Sequence, residues 1–321
     1  MVERINNFKE STAPNHKVFM EKILIIGSKG FIGRYLYTFL LGKGYIVKGA
    51  DVVIDYVNSE NYFLIDTLNS DFDSILRKEE FDICINCSGA ASVPDSITNP
   101  MRDYTLNTFN VFKILEAIRS NQPSCRFVNL SSAAVYGNPE RLPVDESSIT
   151  KPVSPYGVHK LHAEKLCRMF YEFYNIRTCS LRVFSVYGVG LQKQLFWDLH
   201  KKAVSHNPFT LYGTGNESRD FINVLDVARA IELVSLSSGF DADIINIANG
   251  TEVSIKDAVS IFYSFFPFKI NYSFSGDFRK GDPVNWLADI SKLRSFGYAP
   301  TVDITAGLHQ YYDWVRLNSE N

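Results

Sequence analysis

The sequence predicts an α/β chain built on a doubly wound parallel sheet. Short strand-like runs rich in apolar residues recur between residues 23 and 184, and the first of them, Ile23-Leu24-Ile25-Ile26, is β-branched and wholly apolar. Segments with apolar residues at helical spacing lie between them, and glycine or other small residues follow several of the runs. Strands alternating with helices give parallel pairs, and right-handed crossovers bury the strands between two helical layers.

Ile23-Leu24-Ile25-Ile26 reads as the first strand and stops at Gly27. A helix follows through Tyr35, Leu36, Phe39 and Leu40, ended by Gly42 and Gly44. The runs at 45–49 and 62–65 read as strands that lead into Asp51 and Asp66. A helix is predicted over 71–78, a strand over 81–86 and a helix over 104–120, with Leu106, Phe109, Phe112, Leu115 and Ile118 as its apolar positions. The next strand, 126–130, runs into Ser131-Ser132; a long helix over 155–174 and a strand over 178–184 complete the regular part.

Past about residue 186 the pattern loosens. Helices are predicted over 194–205, 226–236 and 255–265, a strand over 244–247 and a hairpin-like stretch over 211–216. The chain thus divides into a polar extension (1–19), a main α/β unit (20–185) and a smaller C-terminal α/β region (186–321), of which about 220–240 is expected to pack back on the main unit.

Composition narrows the function. The 321 residues carry 33 basic and 35 acidic side chains, a net of −2, so there is no broad basic field for nucleic acid. No apolar run approaches the roughly 18–20 residues of a membrane span, and the first twenty residues lack the apolar core of a secretory signal. Five cysteines without framework spacing fit a reducing cytosol. Cys84 and Cys87 lie in a strand-like run where positions three apart face opposite ways, so they read as core residues rather than a metal or redox pair.

Gly27, Gly30 and Gly33, with Phe31 and Ile32 between them, form G-x-x-G-x-x-G at a strand-to-helix turn. Such glycines permit a tight turn, close approach of a pyrophosphate and close helix packing, and the helix start offers free N–H groups to phosphate. A plain tight turn is the alternative. Asp51, 21 residues after Gly30, favours dinucleotide binding: its carboxylate suits the two adenosine ribose hydroxyls and repels a 2′-phosphate. NAD is therefore expected over NADP. Asp66 is placed to meet the adenine amine, or to serve as a turn residue or helix cap. The small residues Ser88-Gly89-Ala90-Ala91, Ala90 in particular, suit a backbone close to a cofactor.

Tyr156 and Lys160 are four apart, on one helix face. With Ser132 at the end of a strand they make an acid–base set: lysine favours the tyrosinate, and tyrosinate removes an alcohol proton. His159 and His162 lie on other faces and read as solvated or packed residues. No His, Cys and carboxylate cluster has metal-site spacing.

The segments GSKGFIG, SSAAVYG, SPYGVHK, RVFSVYG, GTGNESRDFINVLDVARA and RKGDPVNWLADISKLRSFGYAP, in this order, resemble the NAD-dependent epimerase/dehydratase family, the extended short-chain dehydrogenases/reductases that act on nucleotide sugars. The resemblance spans roughly 20–315 and implies a Rossmann-type sheet with a smaller C-terminal substrate-binding region. It implies Ser132, Tyr156 and Lys160 as the catalytic triad, with Lys160 also on the nicotinamide ribose. It implies Arg219 and Arg279 on a nucleotide diphosphate, where two forked guanidiniums fit, and Asp282 as a ribose-hydroxyl partner. Surface or domain-bridging salt bridges are the plain alternative for the arginines. Tyr212 suits stacking on the nucleobase or a place in the core. Ser185 stands where the family often has an asparagine on the substrate phosphates, and is shorter.

Ala133 and Ala134 stand where sugar 4,6-dehydratases of the family carry an Asp-Glu pair as acid and base, so 4,6-dehydration is not expected. The expected activity is nucleotide-sugar epimerisation, most simply at C4, with NAD retained. The alternatives are an NAD(P)H-dependent 4-keto-sugar reductase and a catalytically silent nucleotide-binding protein. The family also implies a homodimer through the helices at about 104–120 and 155–174; composition leads to the expectation of a cytoplasmic protein with neither nucleic acid nor membrane as partner.

Overall fold

The computed structural model describes residues 21–57, 59–67, 69–205, 208–277, 281 and 283–318. The extension 1–19 and the site candidates Arg279 and Asp282 lie outside the described residues. The strands are β1 (Lys22–Ile26), β2 (Ile46–Asp51), β3 (Tyr62–Leu64), β4 (Ile83–Asn86), β5 (Arg126–Ser132) and β6 (Thr178–Val183). They continue with β7 (Ser185–Tyr187), β8 (Phe209–Leu211), β9 (Ser218–Asn223), β10 (Asp241–Ile247), β11 (Glu252–Ser254) and β12 (Tyr272–Phe274).

Seven strands among the described residues form one sheet in the order β10-β6-β5-β4-β1-β2-β3, and every pair is parallel. The chain builds outward from β1 in one direction and from β4 in the other. That reversal opens a crevice at the carboxyl ends of β1 and β4, where open α/β sheets bind ligands. Alternate β1 residues face different cores. Ile23 and Ile25 join Leu36 and Leu40 of the helix Phe31–Gly42 and Val227, Ile231 and Val234 of the helix Val224–Ser237. Leu24 and Ile26 face Val111, Leu115 and Phe170 of the helices Asn110–Asn121 and Pro155–Tyr174. Burial on both faces explains the uninterrupted apolar runs.

The later part of the chain is interleaved with the earlier one: β10 completes the sheet beside β6. Two smaller sheets, β11-β9-β7 and β12-β8, sit on an aromatic core that includes Phe196, Phe221, Phe262 and Tyr311.

The predicted hairpin near Leu211 is instead a parallel pair, β8 with β12. Gly213 and Gly215, at φ +85° and +84°, wrap the chain around Glu217, whose carboxylate accepts the backbone N–H groups of Thr214 and Gly215 at 2.9 Å each. The helix predicted over 104–120 is interrupted. Pro100–Tyr104 leads into one turn of π-helix, Thr105–Phe109, before Asn110–Asn121. The wider turn buries Asn107 and Thr108, and Thr108 Oγ1 donates to the His159 carbonyl at 2.9 Å. Phe109 and Phe112, expected on the apolar face, are instead 49% and 38% exposed. The helices Val93–Thr98 and Ile304–Asn318 were not anticipated. Among the described residues no helix is long and apolar enough to cross a membrane.

One buried ion pair ties the helix Pro155–Tyr174 to the sheet. Arg182 on β6 donates to Glu164 through Nε at 3.0 Å and Nη2 at 2.8 Å, and Ser131 Oγ donates to the same carboxylate at 2.5 Å. Both charged side chains are nearly solvent-free, so loss of one partner strands the other without water. Glu164→Ala is expected to destabilise the fold by about 3–5 kcal/mol, measured by urea unfolding; a loss under about 1 kcal/mol, the range of an exposed pair, contradicts this.

Candidate active site

β1 ends in a turn that only glycine fits. Gly27 has φ +81°, donates its N–H to the Ala50 carbonyl at 2.7 Å, and lies where a Cβ would come within 2.6 Å of the Ser88 nitrogen. A Cβ on Gly33 would approach the Gly27 carbonyl oxygen to 2.0 Å, so the helix packs directly on the turn. Gly30 caps that helix without a side-chain hydrogen bond, and its first turn holds no acidic residue. The helix start therefore presents unneutralised N–H groups and positive potential to an anion. Gly30, Phe31 and Ile32 line a cavity of about 1100 Å³, large enough for a two-part ligand.

Asp51 closes β2 beside this turn. Its carboxylate accepts the backbone N–H groups of Lys29 at 2.8 Å and Val52 at 2.7 Å, and the Lys29 ammonium pairs with Asp55. Asp66 is exposed and accepts the Asn69 N–H at 3.0 Å, holding its own turn; the structure does not place it on the cavity. Ala90 does line the cavity, after β4.

The helix Pro155–Tyr174 is started by Ser154, whose Oγ accepts the Gly157 N–H at 3.2 Å, with Pro155 in its first turn. A Cβ on Gly157 would stand 2.5 Å from the Ala134 carbonyl oxygen, so glycine lets the helix start press against the end of β5. That contact brings Tyr156 and Lys160 onto the same cavity wall as Ser132. Ser132 Oγ accepts the Ala134 N–H at 3.2 Å. Lys160 Nζ donates to the Leu130 carbonyl at 2.8 Å and lies 6.0 Å from the centre of the Tyr156 ring.

The electrostatics differ from expectation in one respect. Burial pushes the Tyr156 phenol up to about 12, and the hydrogen bond from Ser132 only partly opposes it. Burial also pulls the Lys160 ammonium down to about 8, against the favourable field of Asp103. Desolvation, rather than attraction between the pair, dominates both groups.

Ser185, Tyr212 and Arg219 line the same cavity from its other side. Tyr212 is 65% exposed and is not a core residue. Arg219 Nη1 donates to the carbonyls of Ser218 at 2.8 Å and Val284 at 3.1 Å, and its guanidinium lies 5.7 Å from the centre of the Trp286 ring. Ala133 and Ala134 are buried and carry no acid or base.

Two site residues escaped the sequence reading. Lys193 lines the cavity and is pulled below its usual pKa by burial. Asn107, on the π-turn, is 1% exposed, and its Oδ1 has no hydrogen-bond partner among the described residues. That oxygen lies 2.5 Å from where a Gly89 Cβ would stand, and Lys160 Nζ lies 3.4 Å from the same point. A buried acceptor beside an ammonium, facing Gly89 on the cavity wall, fits a ligand hydroxyl.

The family model of the NAD dependent epimerase/dehydratase family matches residues 23–248. The chain belongs to this family. It is 30% identical over 306 residues to the uncharacterized UDP-glucose epimerase YtcB of Bacillus subtilis (strain 168), covering 89% of this chain and 95% of that one. A UDP-glucuronic acid 4-epimerase from Bacillus cereus, solved in complex with UDP-glucuronic acid and NAD, is 29% identical, with a TM-score of 0.83 over 92% of this chain and 99% of that chain. A UDP-N-acetylglucosamine 4-epimerase from Methanobrevibacter ruminantium M1 is 27% identical, with a TM-score of 0.82 over 93% and 99%.

Lys160 generates a stability prediction. An ammonium held at about 8 in the fold and at about 10.4 in the unfolded chain costs about 3 kcal/mol at neutral pH. Between those two values the unfolded chain binds more protons, so this contribution to stability rises with pH and its penalty is gone above about 10.4. Lys160→Met loses a hydrogen bond of about 1 kcal/mol. It is therefore expected to stabilise the fold by about 2 kcal/mol at pH 7, with a gain that shrinks from about pH 8 upward. Denaturant melts at several pH values check this, and a destabilised variant at pH 7 contradicts it.

Proposed function

We propose that the protein is a nucleotide-sugar 4-epimerase working with NAD. The reading rests on one juxtaposition: Ser132, Tyr156 and Lys160 share a single large cavity with the open helix start at Gly30. The relatives that are UDP-sugar 4-epimerases support it over the reductase alternative.

The helix start at Gly30 would hold the cofactor pyrophosphate, Asp51 the adenosine ribose, and Asn107 and Lys160 the nicotinamide ribose. The bound nicotinamide supplies a two-electron acceptor and donor for the sugar carbon, and it ends each turnover as it began. Tyr156 takes the proton of the sugar O4 and later returns it, so acid and base are one group. Ser132 holds the phenol oxygen through the cycle, and a positive charge such as the Lys160 ammonium favours the phenolate. Net proton release is zero, which suits a closed, largely buried site.

On the substrate side, the carbonyls that anchor Arg219 fix its guanidinium in the cavity wall, where it meets a diphosphate through forked hydrogen bonds. Exposed Tyr212 stacks on the base, Ser185 reaches the phosphates, and Arg279 and Asp282 complete the nucleotide grip as the resemblance implies. Residues 186–321 supply this capping region. Phe109, Phe112 and Phe173 are exposed on the two segments through which the family dimerises, which supports a homodimer. The enzyme acts in the cytosol and supplies activated sugars to polysaccharide assembly.

Tyr156→Phe is expected to lower turnover of a UDP-sugar by about 10²–10⁴ while NAD affinity stays within a few fold, because only the proton-carrying oxygen is removed. Product analysis with NAD titration checks both. Turnover within threefold of the parent protein removes Tyr156 from the chemistry.

A further inference from the structure

Asp103 is a buried carboxylate that the mechanism above does not use; its side chain is 3% exposed. It ends no strand and lines no cavity wall. Its two oxygens are nevertheless committed. Oδ2 lies 2.6 Å from His159 Nδ1, and Oδ1 accepts the Asn107 Nδ2–H at 3.0 Å. His159 stands one residue before Lys160, and its carbonyl accepts Thr108 Oγ1 at 2.9 Å. The Tyr104 ring meets the His159 ring edge-on at 5.4 Å. Side chains just before and within the π-turn thus grip the helix that carries Tyr156 and Lys160.

The chemistry of these groups decides which end of the Asn107 amide faces the site. An ionised carboxylate accepts and never donates. Asp103 therefore captures the amide N–H₂ group and turns the amide oxygen the other way. That oxygen is the buried acceptor beside Gly89 and Lys160. His159, donating from Nδ1, occupies the second oxygen of Asp103. Without the carboxylate the amide is free to present two N–H donors toward the Lys160 ammonium, an unfavourable pairing that also removes an acceptor.

We propose that Asp103 and His159 are positioning residues that fix the orientation of the Asn107 amide, so that an acceptor for a ribose hydroxyl stands against Gly89 of the cavity wall, beside Lys160. This rests on the reading of the cavity as a nicotinamide site. It makes the π-turn part of the enzyme's working structure, since the wider turn is what buries Asn107 on this side.

An exchange of donor and acceptor tests the proposal. Asp103→Asn keeps the size of the side chain but gives it a donor. NAD affinity, measured by equilibrium titration, is expected to fall about tenfold. The turnover number falls with it, while the KM for a UDP-sugar stays within about twofold. Asp103→Asn combined with Asn107→Asp restores the polarity: residue 103 then donates, and a carboxylate oxygen faces the cavity. The double variant is expected to recover NAD affinity to within about threefold of the parent protein. Melting temperatures are recorded for all variants, and titrations are run where each is folded. Unchanged NAD affinity in Asp103→Asn overturns the proposal. So does a double variant that binds NAD no better than the single one, as a purely structural role requires. If the parent protein binds no nicotinamide cofactor, the function reading and this proposal fall together; if it binds NAD and the exchange has no effect, only the positioning role falls.

Discussion

The active site depends on the ion pair between Arg182 and Glu164. Arg182 comes from β6, Glu164 stands one helical turn beyond Lys160, and their third partner, Ser131, precedes Ser132. Ser131 is thus a chain neighbour and Glu164 a helix-turn neighbour of the acid–base set, and Arg182 ties Glu164 to β6. The forked geometry leaves the helix little freedom to slide or rotate on the sheet. Its start is held independently, because Gly157 allows contact with the Ala134 carbonyl. Two fixed points on one helix determine where Tyr156 and Lys160 stand relative to the end of β5.

That rigidity allows the site to hold groups that stability alone disfavours. Lys160 is an ammonium deprived of water, supported by one carbonyl and by the field of Asp103. Tyr156 is a phenol whose ionisation is suppressed by burial. Neither state stabilises a fold, and both belong to a group set that exchanges one proton with a bound alcohol. The crevice between β1 and β4 places the anion-binding helix start next to these groups because the strand order reverses there. Fold and chemistry meet at that switch point.

Local signals were legible in the sequence. The helix Pro155–Tyr174 follows from Ser154 and Pro155 at its start, and the glycine turn follows from a strand run ending in G-x-x-G. The uninterrupted apolar run of β1 announced a strand covered on both faces. Long-range polar pairs were not legible. Asp103 and His159 are 56 residues apart, and no periodicity links them. Asn107 was hidden because a π-turn breaks the helical repeat on which the prediction of a continuous helix rested. The pairing of β8 with β12 joins segments about sixty residues apart, beyond the reach of a local turn signal. Asp66 shows the limit of position alone: a carboxylate just after a strand suits a ligand as well as its own turn, within which it accepts the Asn69 N–H.

Epimerisation by removal and return of the same hydrogen has a signature that no reductase or binding protein shares. A UDP-sugar carrying deuterium at C4 is incubated with the parent protein and the products are resolved by NMR, while nicotinamide absorbance is followed. The C4 epimer should appear with its deuterium still on C4 and with no net change in the cofactor. Loss of the label to water, accumulation of a keto or reduced sugar with stoichiometric cofactor turnover, or no conversion of any UDP-sugar would show that Ser132, Tyr156 and Lys160 serve a different reaction.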